Sequence, residues 1–180
     1  MATYNTPVTP VFNAGYGPYA SDFNTWIYQT FSFFQNKVVL RVSQTTTATS
    51  LPDSGAVTTI AYDTVLEDPY SGWNASTHLW TPPSGYSGWY QATITIRTVT
   101  LSNLVMLRPV FAGTYSYALT TVQGNSNAGA GVCATFTVYL VGGQDTLGAA
   151  CSLLNSGSAV NTSLTAGQES TLEIIYLSQT

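Results

Sequence analysis

The sequence is short of charge. Only 7% of its 180 residues are Asp, Glu, Lys or Arg, against roughly 25% in ordinary globular proteins. Lysine occurs once, at Lys37, histidine once, at His78, and the formal net charge is −4. With no basic stripe to neutralise a run of phosphates, nucleic acid is excluded as a partner. Cysteine is nearly as scarce. Cys133 and Cys151 have neither paired motif spacing nor a histidine near them in the chain, so two free thiols are expected in place of a disulfide or a metal site. No apolar run reaches membrane-spanning length, which excludes membrane insertion by a helix. The opening MATYNTPVTP has no positive n-region and no apolar core, so no signal peptide is expected and synthesis is placed in the cytoplasm.

What the chain has instead is Thr, Ser, Gly, Asn and Tyr, with 13% aromatic residues. A surface built of hydroxyls and amides repels itself weakly, so much of it is expected to be buried against other copies or a larger assembly. The alternative is a monomer kept in solution by Thr and Ser alone. The length suits one substantial domain with a short appendage.

Two segments of different character follow one another. Residues 1–19 carry Pro7, Pro10, Gly15, Gly17 and Pro18 and are expected to form an extended arm, with Phe12 among the residues free to dock. From Ser21 or Asp22, which suit a helix cap, Phe23, Trp26, Ile27, Phe31 and Phe34 recur at three- and four-residue intervals. That period predicts an amphipathic helix of about four turns, closed near Asn36 and Lys37. The boundary is therefore drawn at residue 37, with arm and helix in 1–37 and a β domain in 38–180.

From Val38 the apolar period becomes two. Strands are predicted from 38 to about 43 and at 57–62, 79–80, 89–99, 104–111, 118–122, 132–141 and 171–177, each bounded by Gly, Pro, Asn or Ser. In two of them the alternation is complete. Tyr90, Ala92, Ile94 and Ile96 oppose Gln91, Thr93, Thr95 and Arg97, while Val132, Ala134, Phe136, Val138 and Leu140 oppose Thr135, Thr137 and Tyr139. Several short antiparallel strands with Gly-rich loops predict a mainly β, antiparallel jelly-roll sandwich.

The order of features in IAYDTVLEDPYSGWNASTHLWTPPSGYSGWYQATITI resembles the jelly-roll family of tumour-necrosis-factor-like and complement-head-like domains. The resemblance lies in the aromatic-Asp pair Tyr62-Asp63, the acidic loop at Glu67-Asp68, Trp80-Thr81-Pro82, and Gly88-Trp89-Tyr90 opening a long alternating strand. The earlier stretch ASDFNTWI, the aromatic helix and the strand start VVLRV resemble the N-terminal segment of small tailed-phage and prophage proteins. Together they span about residues 20–100. LTAGQESTLEIIYLSQT resembles the late Gly-Asp strand of the first family, with Gln168 in the Asp position, and a final strand is expected to be missing, displaced or supplied by another chain.

Catalytic chemistry is thinly provided. His78 would need an orienting carboxylate to act as a base, and a loop histidine beside tryptophans is more often a packing residue. Asp63, Glu67 and Asp68 lack the spacing of a known cation loop and read as solvated charges. Gly124, Gly129 and Gly131 are followed by no Lys-Ser/Thr, so they form no phosphate loop. No enzyme, metal or cofactor is expected.

The aromatics are the stronger signal. Tyr70, Trp73, Trp80 and Tyr86 crowd one region and are the candidate host-contact residues, although some of them would equally plug the end of the sandwich. Tyr115 and Tyr117 are candidates for a subunit interface, since the family resembled commonly trimerises through strand faces. Phe12, Phe23, Trp26, Ile27, Phe31 and Phe34 are candidates for docking. What the resemblance implies is a bacteriophage virion protein, a trimer attached to the tail as a minor, host-contacting component. Its partners would be itself, other virion proteins and a host surface glycan or protein. Two alternatives stay open: a capsid decoration protein clamped to the shell by its arm, and a carbohydrate-binding adhesive module.

Overall fold

In a computed structural model the chain divides into two units, Met1–Lys37 and Val38–Thr180. The structure describes residues 24, 27, 38–99, 104–115, 120–122, 131–154 and 157–179. The expected arm and helix therefore fall outside the described residues, except for Asn24 and Ile27, whose backbones are helical but which do not make a helix by themselves. Phe12, Phe23, Trp26, Phe31 and Phe34 lie outside as well.

The described residues of 38–179 form two large antiparallel sheets and a short ribbon. The first is built from β1 (Val39–Ser43), β4 (Thr64–Glu67), β7 (Gly88–Arg97), β11 (Gly131–Leu140) and β14 (Thr171–Ser178), in the order β11-β7-β14-β1-β4. The second contains β5 (Trp73–Asn74), β6 (Leu79–Trp80), β8 (Leu104–Phe111), β10 (Thr120–Val122) and β12 (Leu147–Leu154), in the order β10-β8-β12-β6-β5. Two short strands join it: β3 (Thr58–Thr59) on β12 and β9 (Thr114–Tyr115) on β8. A separate ribbon pairs β2 (Ser50–Leu51) with β13 (Val160–Asn161).

The first sheet follows directly from alternation. In register, Leu40, Ile174, Ala92 and Phe136 share one row, and Val42, Leu172, Ile94 and Ala134 the next. Every large aliphatic residue in these rows is buried, with the small Ala92 and Ala134 leaving space for their neighbours. The Phe136 ring meets Phe111 of the second sheet edge-on at 6.3 Å, so Leu107 and Val105, of the same parity as Phe111, also face inward.

The strand expected at 171–177 is β14, which lies between β7 and β1 in the middle of the first sheet. Two expectations need correction. The strand expected at 57–62 is cut to Thr58–Thr59, because Ile60 still donates to the Ala149 carbonyl at 2.9 Å but Tyr62 N–H turns back onto the Ile60 carbonyl at 3.1 Å. LGAACSLL was not expected as a strand, yet β12 runs beside β8 from Leu147 to Leu154. Leu147 to Leu153 are all buried, so the small residues Gly148, Ala150 and Ser152 on one face erase the polar-apolar signal.

The thiols are free, as expected: Cys133 is exposed and Cys151 buried. Burial pushes the Cys151 thiol up to about 12, so it stays protonated and behaves as a small core hydrophobe.

Candidate functional site

The loops between β4 and β7 carry the expected aromatic cluster. Asp68 sets their course: its Oδ2 accepts the Trp73 N–H at 2.8 Å and its carbonyl accepts the Ser71 N–H at 3.1 Å. Asn74 then folds the β5–β6 turn by accepting the N–H groups of Ser76 and Thr77 on its side-chain oxygen. Gly72 lies so close to the next strand that a Cβ there would collide with the Thr81 carbonyl oxygen.

This scaffold turns most of the aromatics inward. Trp80 is fully buried and stands edge-on to Tyr90 at 5.6 Å. Tyr86 is 3% exposed, packs edge-on against Tyr176 at 5.8 Å, shares a 3.1 Å hydroxyl contact with Tyr70, and its carbonyl accepts the Tyr90 hydroxyl. Burial, with the neighbouring phenols adding to it, holds the Tyr86 and Tyr90 hydroxyls protonated well above their ordinary range. Trp80 and Tyr86 therefore plug the sandwich end and cannot touch a receptor, which corrects their assignment as host contacts. Tyr70 and Trp73 are half-buried, Trp73 lying 6.2 Å from the Tyr62 ring and 6.4 Å from His78.

The charged candidates separate. His78 sits in the turn with φ of 55°, and its Nδ1 is buried with no hydrogen-bond partner, so no carboxylate orients it there. Asp63 is exposed but is no idle solvated charge. Its carboxylate accepts N–H groups of Thr45, Thr46 and Thr47 and hydroxyls of Thr45, Thr46 and Thr64. Burial by itself would raise its pKa, but the hydrogen bonds from Thr45, Thr46 and Thr47 outweigh it and hold the carboxyl well below the usual range. Among the described residues no group of three or more His, Cys, Asp or Glu is placed to hold a metal ion.

The aromatics that do reach solvent are elsewhere. On the outward face of the first sheet, Trp89 is 44% and Tyr139 43% exposed, cross-strand partners in register with ring centroids 5.8 Å apart. Leu177, 48% exposed, lies on β14 at the register shift between Tyr176 and Ser178, the latter opposite Trp89. The rows below are Val39, Ile175, Gln91 and Thr137, then Arg41, Glu173, Thr93 and Thr135. The Thr93 and Thr135 hydroxyls meet at 2.9 Å, and Arg41 approaches Glu173 at 3.6 Å. The face is thus rich in hydroxyls, with an apolar end, the Arg41–Glu173 pair, and two further exposed charges, Arg97 on β7 and Glu67, which pairs with Arg41 in register on β4.

Alternation had already put Tyr139 on the outward parity, and the same parity in β7 carries Trp89. Their pairing spans 50 positions of chain and needed the β7–β11 register. Tyr115 ends β9 on the second sheet, opposite Val110, whereas Tyr117 is outside the described residues.

The chain matches no protein-family profile and no curated protein sequence. Its fold is nevertheless shared with solved structures. Murine APRIL superposes with a TM-score of 0.57 at 14% identity, covering 79% of this chain and all of that one. The vertex protein P5 of PRD1 superposes with a TM-score of 0.56 at 18% identity, covering 78% of this chain and 73% of that one. The fold is a tumour-necrosis-factor-like jelly roll.

Proposed function

We propose that this chain is a non-enzymatic bacteriophage virion protein, a homotrimeric jelly roll attached to the tail as a minor component and displayed toward the host. The observation that carries the reading is the outward face of the first sheet. It is rich in hydroxyls and ends in the exposed Trp89 and Tyr139, with Leu177 exposed on β14, a composition suited to burial against copies of itself. Jelly rolls of this type typically trimerise. In this reading the arm and helix, with Phe12, Phe23, Trp26, Ile27, Phe31 and Phe34, dock the trimer onto other virion proteins. Tyr115 and Tyr117 remain a second, separate candidate for subunit contact, and Tyr70 and Trp73 for host contact.

One observation favours a capsid decoration protein instead. A structure that shares the fold is named as a vertex protein of its own particle. Cryo-electron microscopy of purified particles of the encoding phage decides between the two. Threefold density at the tail supports the tail reading, density on the capsid lattice or its vertices supports decoration, and absence from the particle overturns both.

A further inference from the structure

The two edge strands of the first sheet differ. β11 runs in unbroken register along β7, whereas β4 slips on β1: Arg41 pairs with Glu67 and Val42 with Val65, so Leu66 is an extra residue bulged out of the ladder. On its other side β4 has no strand among the described residues. The backbone groups facing that side are a template for another strand.

Proteins commonly blunt such an edge by keeping it short, bulging it and charging it, and β4 shows all three. It is 4 residues long, contains the exposed Glu67 and follows the exposed Asp63. Protection of that kind does not explain its apolar residues. Val65 is 50% and Leu66 57% exposed, Leu66 being the most exposed large hydrophobic residue described. Val65 stands opposite Val42, a fully buried core residue, so it points to the core side of the sheet and is nevertheless left half uncovered.

Charge decides what kind of strand fits. Glu67 and Asp63 repel the same edge of a second copy. A second copy also has no basic segment to spare. Of its 4 basic residues, Arg41, Arg97 and Arg108 are built into β1, β7 and β8, and Lys37 directly precedes β1.

We propose that β4 is a docking edge for a different protein, which adds to it an extended segment in which apolar side chains alternate with lysine or arginine. Main-chain hydrogen bonds to the free side of β4 hold the segment, its apolar residues cover Val65 and Leu66, and its cations lie near Glu67 and Asp63. Glu67 takes the direct contact, because the Asp63 carboxylate is already occupied by the Thr45, Thr46 and Thr47 N–H groups and attracts only through space. This edge lies across the sheet from β11 and Tyr139. The inference goes beyond the proposed function, and binding in solution is measured separately from particle location, so either idea can fail alone.

The probe is a fluorescein-labelled peptide, Lys-Val-Thr-Val-Lys-Val-Thr, titrated with the full chain and read by fluorescence anisotropy at low and high salt. Saturable binding that weakens with salt is expected. It should be lost when the lysines are replaced by glutamate, and when two adjacent central residues are N-methylated, which blocks both edges of the peptide. Val65→Thr, Leu66→Gln and Glu67→Gln change exposed side chains and should leave the melting temperature in place. Each should weaken binding about threefold, the size of one cross-strand pair, and Glu67→Gln should also flatten the salt dependence. No saturable binding, equal binding of the glutamate or N-methylated peptide, or affinity unchanged in all three variants would overturn the proposal. Dissociation of the protein's own oligomer by Val65→Thr/Leu66→Gln would give the edge to a second copy and overturn it as well.

Discussion

The Trp89 ring stands edge-on to the Tyr139 ring, 79° between planes, on a sheet face where Thr93, Thr95, Thr135 and Thr137 follow along the same two strands. Each residue is nearly half exposed, so the pair lies outside the core. Edge-on pairs contribute about 0.5–1.5 kcal/mol beyond area burial, too little to explain leaving both rings in water.

Self-association should therefore depend on this face. Thr135→Lys places an ammonium at its centre, and burying that charge against another copy is unfavourable. Light scattering coupled to size exclusion should show monomer for Thr135→Lys and for the double variant Trp89→Ala/Tyr139→Ala, with folding cooperativity retained. A trimer persisting in both would move the interface elsewhere, Tyr115 and Tyr117 being next to test.

Cys133 reports on the same face, with Cys151 as a buried control. Cys133 is exposed on the outward row with Thr95, whereas the Cys151 thiol lies in the core and stays protonated because burial raises its pKa. Iodoacetamide at pH 8 should label Cys133 alone in native monomer and both cysteines in denaturant, read by mass spectrometry. In the assembled state Cys133 should be protected too. Undiminished labelling of Cys133 in the oligomer would mean the face stays open.

Asp63 should govern acid stability. Its folded pKa is depressed by its Thr45, Thr46 and Thr47 donors, so its stabilisation is present above the unfolded value near 3.9 and is lost as pH falls toward the folded one. Asp63→Asn removes the charge from that cradle and should cost about 1 kcal/mol at neutral pH, comparable to losing a side-chain cap on backbone N–H groups. The difference between wild type and variant should shrink below about pH 4. Thermal melts across pH measure this, and a constant difference down to pH 2 would show that Asp63 does not act through ionisation.

Gly72→Ala tests how the aromatic loop is held. The new methyl meets the Thr81 carbonyl oxygen and crowds the Trp80 indole nitrogen. Backbone cannot yield as a flexible side chain does, so a loss of about 1–3 kcal/mol is expected, the range for overpacking. Circular dichroism melts read it, with Gly85→Ala, where no atom lies near the new Cβ but φ is 89°, separating strain of the backbone from collision.

Much of this protein was determined by the local sequence. Alternation at 90–96 and 132–140 set which residues of β7 and β11 point inward, and the Pro and Gly punctuation marked several strand ends. These properties depend on a residue and its near neighbours, so they survive in a linear reading. β12 did not, because a strand buried on both faces has no solvent side to make it alternate. Trp80 and Tyr86 were misassigned for a related reason. A tryptophan in a loop has the same local signature whether the loop folds over the core or away from it, and only packing against Tyr90 and Tyr176 decided that. The Trp89–Tyr139 pair and the Asp63 cradle each join segments far apart in the chain. Their existence depended on strand register and loop closure, which tertiary structure alone supplies.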